Sequence, residues 1–399
     1  MRAAVISTLV AAFLVPCGSP AQPPPLQLVE TFPIETSLDN PDIPEAFDVW
    51  LEMIGAAQQS LDFAEFYASN EPDSRLEAVV GAVEAAAARG VSVRFLAEEK
   101  FARTYPETLE RLGARRGVVV RRLDLSRTSG GVLHAKYFVV DGQEAFIGSQ
   151  NFDWRALTHI QELGLRIRIA PVVGALLDVF EADWSQAGGG EVERRVRPDY
   201  DFPARVVQDG DTLLVTPVFS PQAGLLDERL WDLPRLLELL DSAQHTVRVQ
   251  LLTYRSVGRD STYFSALESA LRAAAARGVQ VQLLLSDWCK RRGTIEGLQS
   301  LQAVPGIDVR LVTIPPWSGG FIPFARVIHA KYLVVDGRAL WLGTSNWEKD
   351  YFYDSRNVGV IVEGGLARRL ERFFLDSWKS PYAADVDPCA HYEPPRIGE

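Results

Sequence analysis

The chain has 399 residues, 47% of them hydrophobic, enough for a large core and one or two domains. It carries 52 acidic against 41 basic residues, a net charge of −11, which excludes a globally basic surface for gripping duplex nucleic acid. A local basic pocket stays open, because steering depends on the field at a cleft.

The first 21 residues read as a secretory signal. Arg2 supplies a short positive region, residues 5–15 are largely apolar, and Ser19-Pro20-Ala21 resembles a small-residue cleavage site. A spanning helix needs about 20 apolar residues, and Pro16 to Pro20 break the run too early. An exported protein, periplasmic or secreted, without a transmembrane segment is therefore expected. Leu14-Val15-Pro16-Cys17 loosely resembles a bacterial lipoprotein box, so lipidation at Cys17 is the rival route. Residues 21–25 form a proline-rich lead-in.

From there the chain is built twice. Residues 60–67 and 246–254 each read as a strand. Residues 84–96 and 272–284 each read as an alanine-rich helix, stopped by Gly90 or Gly278 and followed by a strand. Helices are predicted over 173–187 and 365–378. Strand–helix alternation in both halves predicts an α/β protein of two pseudo-symmetric sandwich lobes, 22–197 and 198–399, with the crossover near 187–203.

Each half also contains His-x-Lys-x4-Asp-x6-Gly-(Ser/Thr)-x-Asn. The first copy is His134, Lys136, Asp141, Gly148, Ser149 and Asn151; the second is His329, Lys331, Asp336, Gly343, Thr344 and Asn346. Residues i and i+2 of a strand share a face, so each histidine should project with its lysine. Asp141-Gly142 and Asp336-Gly337 read as hairpin turns, which makes the two aspartates structural. The returning strands bring each hydroxyl and asparagine beside its own histidine. Lysines and amides suit the non-bridging oxygens of a phosphodiester, while one imidazole attacks phosphorus and the other protonates the departing oxygen. Each half supplies one of each group, so catalysis requires both halves at one interface.

The halves are not equivalent. Eleven residues after each motif asparagine stand Glu162 in the first half and Asn357 in the second. A carboxylate on an imidazole orients the ring and raises its basicity. On that ground Glu162 is expected to back His134 as nucleophile and leave His329 as the acid; a salt-bridged strand residue is the plainer reading of Glu162. Trp154, Trp347, Tyr351 and Phe352 follow the motif asparagines and are candidates either for base stacking or for core packing. Residues 314–323 form an apolar loop suited to admitting acyl chains or to covering the site. With the leader removed, Cys289 and Cys389 remain, as one disulfide worth up to ~4.7 kcal/mol in the loop-entropy picture or as two unpaired thiols.

The paired motif resembles that of the phospholipase D superfamily. The resemblance implies two α/β lobes around one active site with no metal and no cofactor, and a covalent phosphohistidine intermediate. It carries these roles onto His134, Lys136, Asn151, His329, Lys331 and Asn346. The flanks, including residues 148–158, 323–329, 343–352 and 378–382, are similar to the animal lysosomal branch, 5′ exonucleases on single-stranded nucleic acid. The same likeness supports pairing Cys289 with Cys389, although this chain departs from that branch in lacking an anchor and the first-lobe cysteines. The expected substrate is thus single-stranded nucleic acid, with phospholipid as the alternative, bound by Ser149, Thr344, Trp154 and Trp347.

Overall fold

A computed structural model describes residues 23–190, 200–258 and 260–398. The expected leader, Cys17 and most of the crossover near residue 197 lie outside the described residues.

Two mixed sheets dominate the fold. The first runs in the order Leu26–Thr31, Glu162–Ile167, Glu144–Gly148, Lys136–Val140, Ser60–Glu65, Ser92–Glu98, Val118–Leu123. The second runs Ala204–Gln208, Asp211–Ser220, Asn357–Glu363, Ala339–Gly343, Tyr332–Val335, Thr246–Leu251, Gln280–Ser286, Ile307–Val312, Ala383–Asp385. In both, the motif hairpin is antiparallel and sits in the middle, flanked by a parallel trio of strands. Helices Arg75–Ala88 and Ala266–Ala276 make the crossovers within those trios. Both alanine-rich helices stop at glycines in the left-handed region, Gly90 at φ 100° and Gly278 at φ 90°, where a side chain would be strained.

The two lobes share one core. Tyr137, Ile147 and Leu165 of the first sheet and Tyr332, Leu342 and Val360 of the second enclose helices Ala170–Ala187 and Leu366–Trp378. Full burial of side chains such as Phe373 and Phe374 contributes about 1.5–3 kcal/mol each. Each sheet covers its outer face with a separate core, around Trp50 and Phe63 in one and around Leu271 and Trp341 in the other. The shared layer fixes one lobe against the other, so groups from both can converge. Among the described residues no helix is long and apolar enough to cross a membrane.

The disulfide expectation is corrected. Cys289 and Cys389 are both free thiols. Cys289 is fully buried behind the strand Gln280–Ser286, where burial pushes its thiol up to about 12. Cys389 is exposed in the C-terminal tail, which Gln299 Nε2 ties to the outside of its helix by donating to the Asp387 and Ala390 carbonyls.

Candidate active site

The motif histidines stand just before their strands rather than within them. At Leu133 and Ile328 the chain leaves its own sheet and pairs with the opposite lobe, through the parallel bridges Leu133–Arg356 and Gln161–Ile328. The His134 backbone N–H donates to the Arg356 carbonyl at 2.9 Å, and that of His329 to the Gln161 carbonyl at 2.8 Å. Each histidine is therefore seated by the residue preceding Glu162 or Asn357 in the other half. Gly131 permits the first crossing, since a Cβ there would lie 2.3 Å from the Asp354 carbonyl carbon. Two buried networks hold the seats. Arg356 forms a paired contact with Asp183 and donates to the Ser220 carbonyl. Gln161 links Ser377 to Gln250, each at 2.8 Å, and Tyr332 extends the chain.

The same crossing reassigns Glu162. Its carboxylate meets His329 Nδ1 at 2.8 and 3.0 Å, whereas His134 Nδ1 meets Asn357 Oδ1 at 3.0 Å. The expectation that Glu162 backs His134 is thus corrected: packing of one sheet across the other gives each histidine its partner from the opposite half. The motif hydroxyls serve these partners rather than opening toward a substrate. Thr344 Oγ1 donates to Asn357 Oδ1 at 2.9 Å and accepts from the Val358 N–H, while Ser149, equally buried, bonds both backbone groups of Leu163.

Lys136 and Lys331 are both about 1% exposed, and each ammonium folds back on its histidine's carbonyl oxygen. Asn346 is engaged, accepting from the Thr253 N–H and donating to the Tyr351 hydroxyl, while Asn151 Oδ1 is buried without a protein partner. Asp141 and Asp336 hold the hairpins from positive φ, 52° and 54°. Each carboxylate accepts three backbone N–H bonds, from residues 58–60 and 244–246.

Burial sets the charge balance. It drives His134 well below the usual imidazole range, helped by Lys136 and Lys331. It pulls Lys331 down to about 7 and Lys136 well below the usual amine range, the latter helped by Lys331. The fully buried Glu162 is raised to about 7 despite Lys331, and Glu65 rises well above the carboxylate range despite Lys136 opposite it. An anion entering this cluster would recharge the lysines. A depressed lysine loses its proton as pH rises through about 7, so anion affinity must fall above it. Dimethyl phosphate, which keeps one charge throughout, should inhibit less well by up to about tenfold per pH unit above 7. A constant inhibition constant from pH 6 to 9 would contradict this electrostatic picture.

The family model described as "Cardiolipin synthase, PLD-like domain" matches residues 50–184 and 236–378, one stretch in each lobe. The chain belongs to the phospholipase D-like family. Among curated proteins it is similar to the human 5'-3' exonuclease PLD3, 32% identical, covering 94% of this chain and 83% of that protein. Phospholipase D Z of Dictyostelium discoideum is 29% identical over 90% of each. Among solved structures, the phosphatidylserine synthase of Haemophilus influenzae shares the fold, with a TM-score of 0.62 at 13% identity, covering 86% of this chain and 85% of that one.

In this phospholipase D-like chain the two motif tryptophans part company. Trp347 is fully buried beside Tyr254 in the outer core of the second sheet, so the expectation that it binds substrate is corrected. Trp154 is half-buried, stacked under Arg155 and edge-on to His159. The rings that do reach the histidines are Phe66 and Tyr351, with centroids 4.8 and 4.9 Å from His134. Phe66 escaped the motif reading because it precedes His134 by 68 residues. The available signal was the repeat itself, which places Leu252 in the matching position, since Ala68 and Tyr254 make equivalent bridges.

Proposed function

We propose that this protein is a phosphodiesterase that works through a phosphohistidine on His134, with His329 as acid and then base. The observation that carries the assignment is the difference in Nδ1 partners. An amide oxygen accepting from His134 Nδ1–H leaves Nε2 with its lone pair and does nothing to stabilise an imidazolium, which suits a nucleophile. A carboxylate on His329 Nδ1 favours a proton on that ring, which suits the acid. Burial raises Glu162 to about 7 and holds His329 well below the usual imidazole range, so the proton present below neutrality belongs to the hydrogen-bonded pair and reaches the leaving oxygen through the His329 ring.

In the first step His134 Nε2 bonds to phosphorus as the P–O bond to the departing group breaks, and His329 Nε2–H protonates that oxygen. In the second, His329 takes a proton from water as the water oxygen bonds to phosphorus and the P–N bond breaks. Lys136 and Lys331 counter the charge of the non-bridging oxygens in both steps, with Asn151 and Asn346 orienting the group.

Single-stranded nucleic acid cut from the 5′ end is the substrate that the similarity to PLD3 favours, in an exported protein whose lobes divide near residue 197. The second reading is a phospholipid head group, favoured by the exposed rings of Phe321 on the apolar loop and Phe324 just after it, and by the likeness to phospholipase D Z. Supplying a 5′-hydroxyl single-stranded oligonucleotide and phosphatidylcholine vesicles in parallel separates them. Release of nucleotides alone is expected; release of choline alone would replace the nucleic-acid reading.

A further inference from the structure

Four aromatic rings lead from His134 in an unbroken series of contacts. Phe66 lies against the imidazole at 4.8 Å, with the Lys136 ammonium 4.9 Å from its centre. Phe101 packs on Phe66 at 4.1 Å, Tyr67 lies over Phe101 at 5.9 Å with the planes 25° apart, and Tyr105 closes on Tyr67 at 5.3 Å. All four are half-buried, and none belongs to the three large cores, whose members are almost wholly enclosed. They are also held in place. The Tyr67 hydroxyl is buried against Asp153, and the Glu98 carboxylate accepts the Phe101 N–H at 2.9 Å to cap the short helix Glu99–Thr104.

Among the described residues the second lobe has no such series beside His329. Glu98 and Ser286 end equivalent strands, so the place of Phe101 is taken there by the buried Cys289. The places of Phe66 and Tyr67 are taken by Leu252 and Thr253, as the bridges at Ala68 and Tyr254 show. The duplicated scaffold thus carries an aromatic track on one side of the phosphate only, beside Lys136. Ordered faces of this kind suit nucleobases, which all have a π-face, and a preset geometry keeps the ordering cost small.

The geometry points to a nucleobase subsite formed by Phe66, Phe101, Tyr67 and Tyr105, which stacks the bases flanking the scissile phosphate on the His134 side. This rests on the nucleic-acid reading above and gives that substrate one polarity across the site.

The test uses the full-length protein and two single-stranded oligonucleotides of identical backbone, one normal and one with its two 5′-terminal nucleosides abasic. Phe101→Ala and Tyr105→Ala should each raise KM for the normal oligonucleotide about tenfold with kcat nearly unchanged, and should leave the abasic one unaffected. Tyr105→Phe, which keeps the ring, should restore the wild-type KM. Turnover of the abasic strand shows that each variant is folded. Unchanged KM in both alanine variants, with the wild type cutting the normal strand, would overturn the subsite alone. A KM change for phosphatidylcholine vesicles instead of the oligonucleotide would likewise overturn it. A wild-type protein inert toward both oligonucleotides would overturn the nucleic-acid reading together with the subsite.

Discussion

His329→Ala is expected to slow cleavage of an ordinary alkyl phosphodiester by about 10²–10⁴-fold, the usual contribution of a positioned acid, yet to spare the first step with a 4-nitrophenyl ester, which then shows a burst of nitrophenolate followed by slow turnover. A nitrophenolate leaves without protonation, so a missing acid matters little in the first step. His134→Ala should silence both substrates, because no group remains to bond to phosphorus. The contrast depends on the two rings having different jobs despite their matching motifs, as their partners Glu162 and Asn357 imply. Pre-steady-state burst rates of both variants on the activated ester, with turnover rates on the alkyl ester, check it. Equal loss on the activated ester in the two variants would contradict the division of labour.

The largest effect on stability is expected at Arg356. Its guanidinium and the Asp183 carboxylate are 7% and 1% exposed, at 2.9 Å. Arg356→Ala leaves Asp183 buried without its counter-charge, which should cost about 3–5 kcal/mol. The charge itself is not needed for stability. Arg356→Met combined with Asp183→Leu should recover most of the loss, since apolar replacements of a buried pair are often neutral. Denaturant unfolding measures both. A loss below about 1 kcal/mol in Arg356→Ala would show that the pair is not the clamp between lobes inferred from its burial. Because the Arg356 backbone also seats His134, the single variant should lose activity at temperatures where it is still folded.

The fold was readable because it rests on local signals that occur twice. Glycine-stopped helices, apolar strand runs and Asp-Gly turns each act within a few residues, and the repeat confirmed one copy by the other. The site was readable only to the edge of each motif. That Glu162 serves His329 depends on where one sheet crosses the other, which no spacing within a half encodes. For the same reason Ser149 and Thr344 were taken as substrate contacts, although their hydroxyls are consumed by the neighbouring strand. Trp347 follows its asparagine just as Phe152 follows Asn151, and both fill cores. The aromatic track was missed because Phe66, Phe101 and Tyr105 come from separate loops and a helix before the first motif. Cys289 and Cys389 were linked by resemblance, and burial of one with exposure of the other separates them.

Both imidazoles are proposed to serve one phosphorus, with His134 carrying it. Rapid acid-free quenching of a single turnover with a radiolabelled phosphodiester, followed by peptide mapping, reads this directly. The label is predicted on His134, accumulating further in His329→Ala with the nitrophenyl ester because water then lacks its base. Label on His329, or labelled histidine absent from every quench point of a productive turnover, would contradict it.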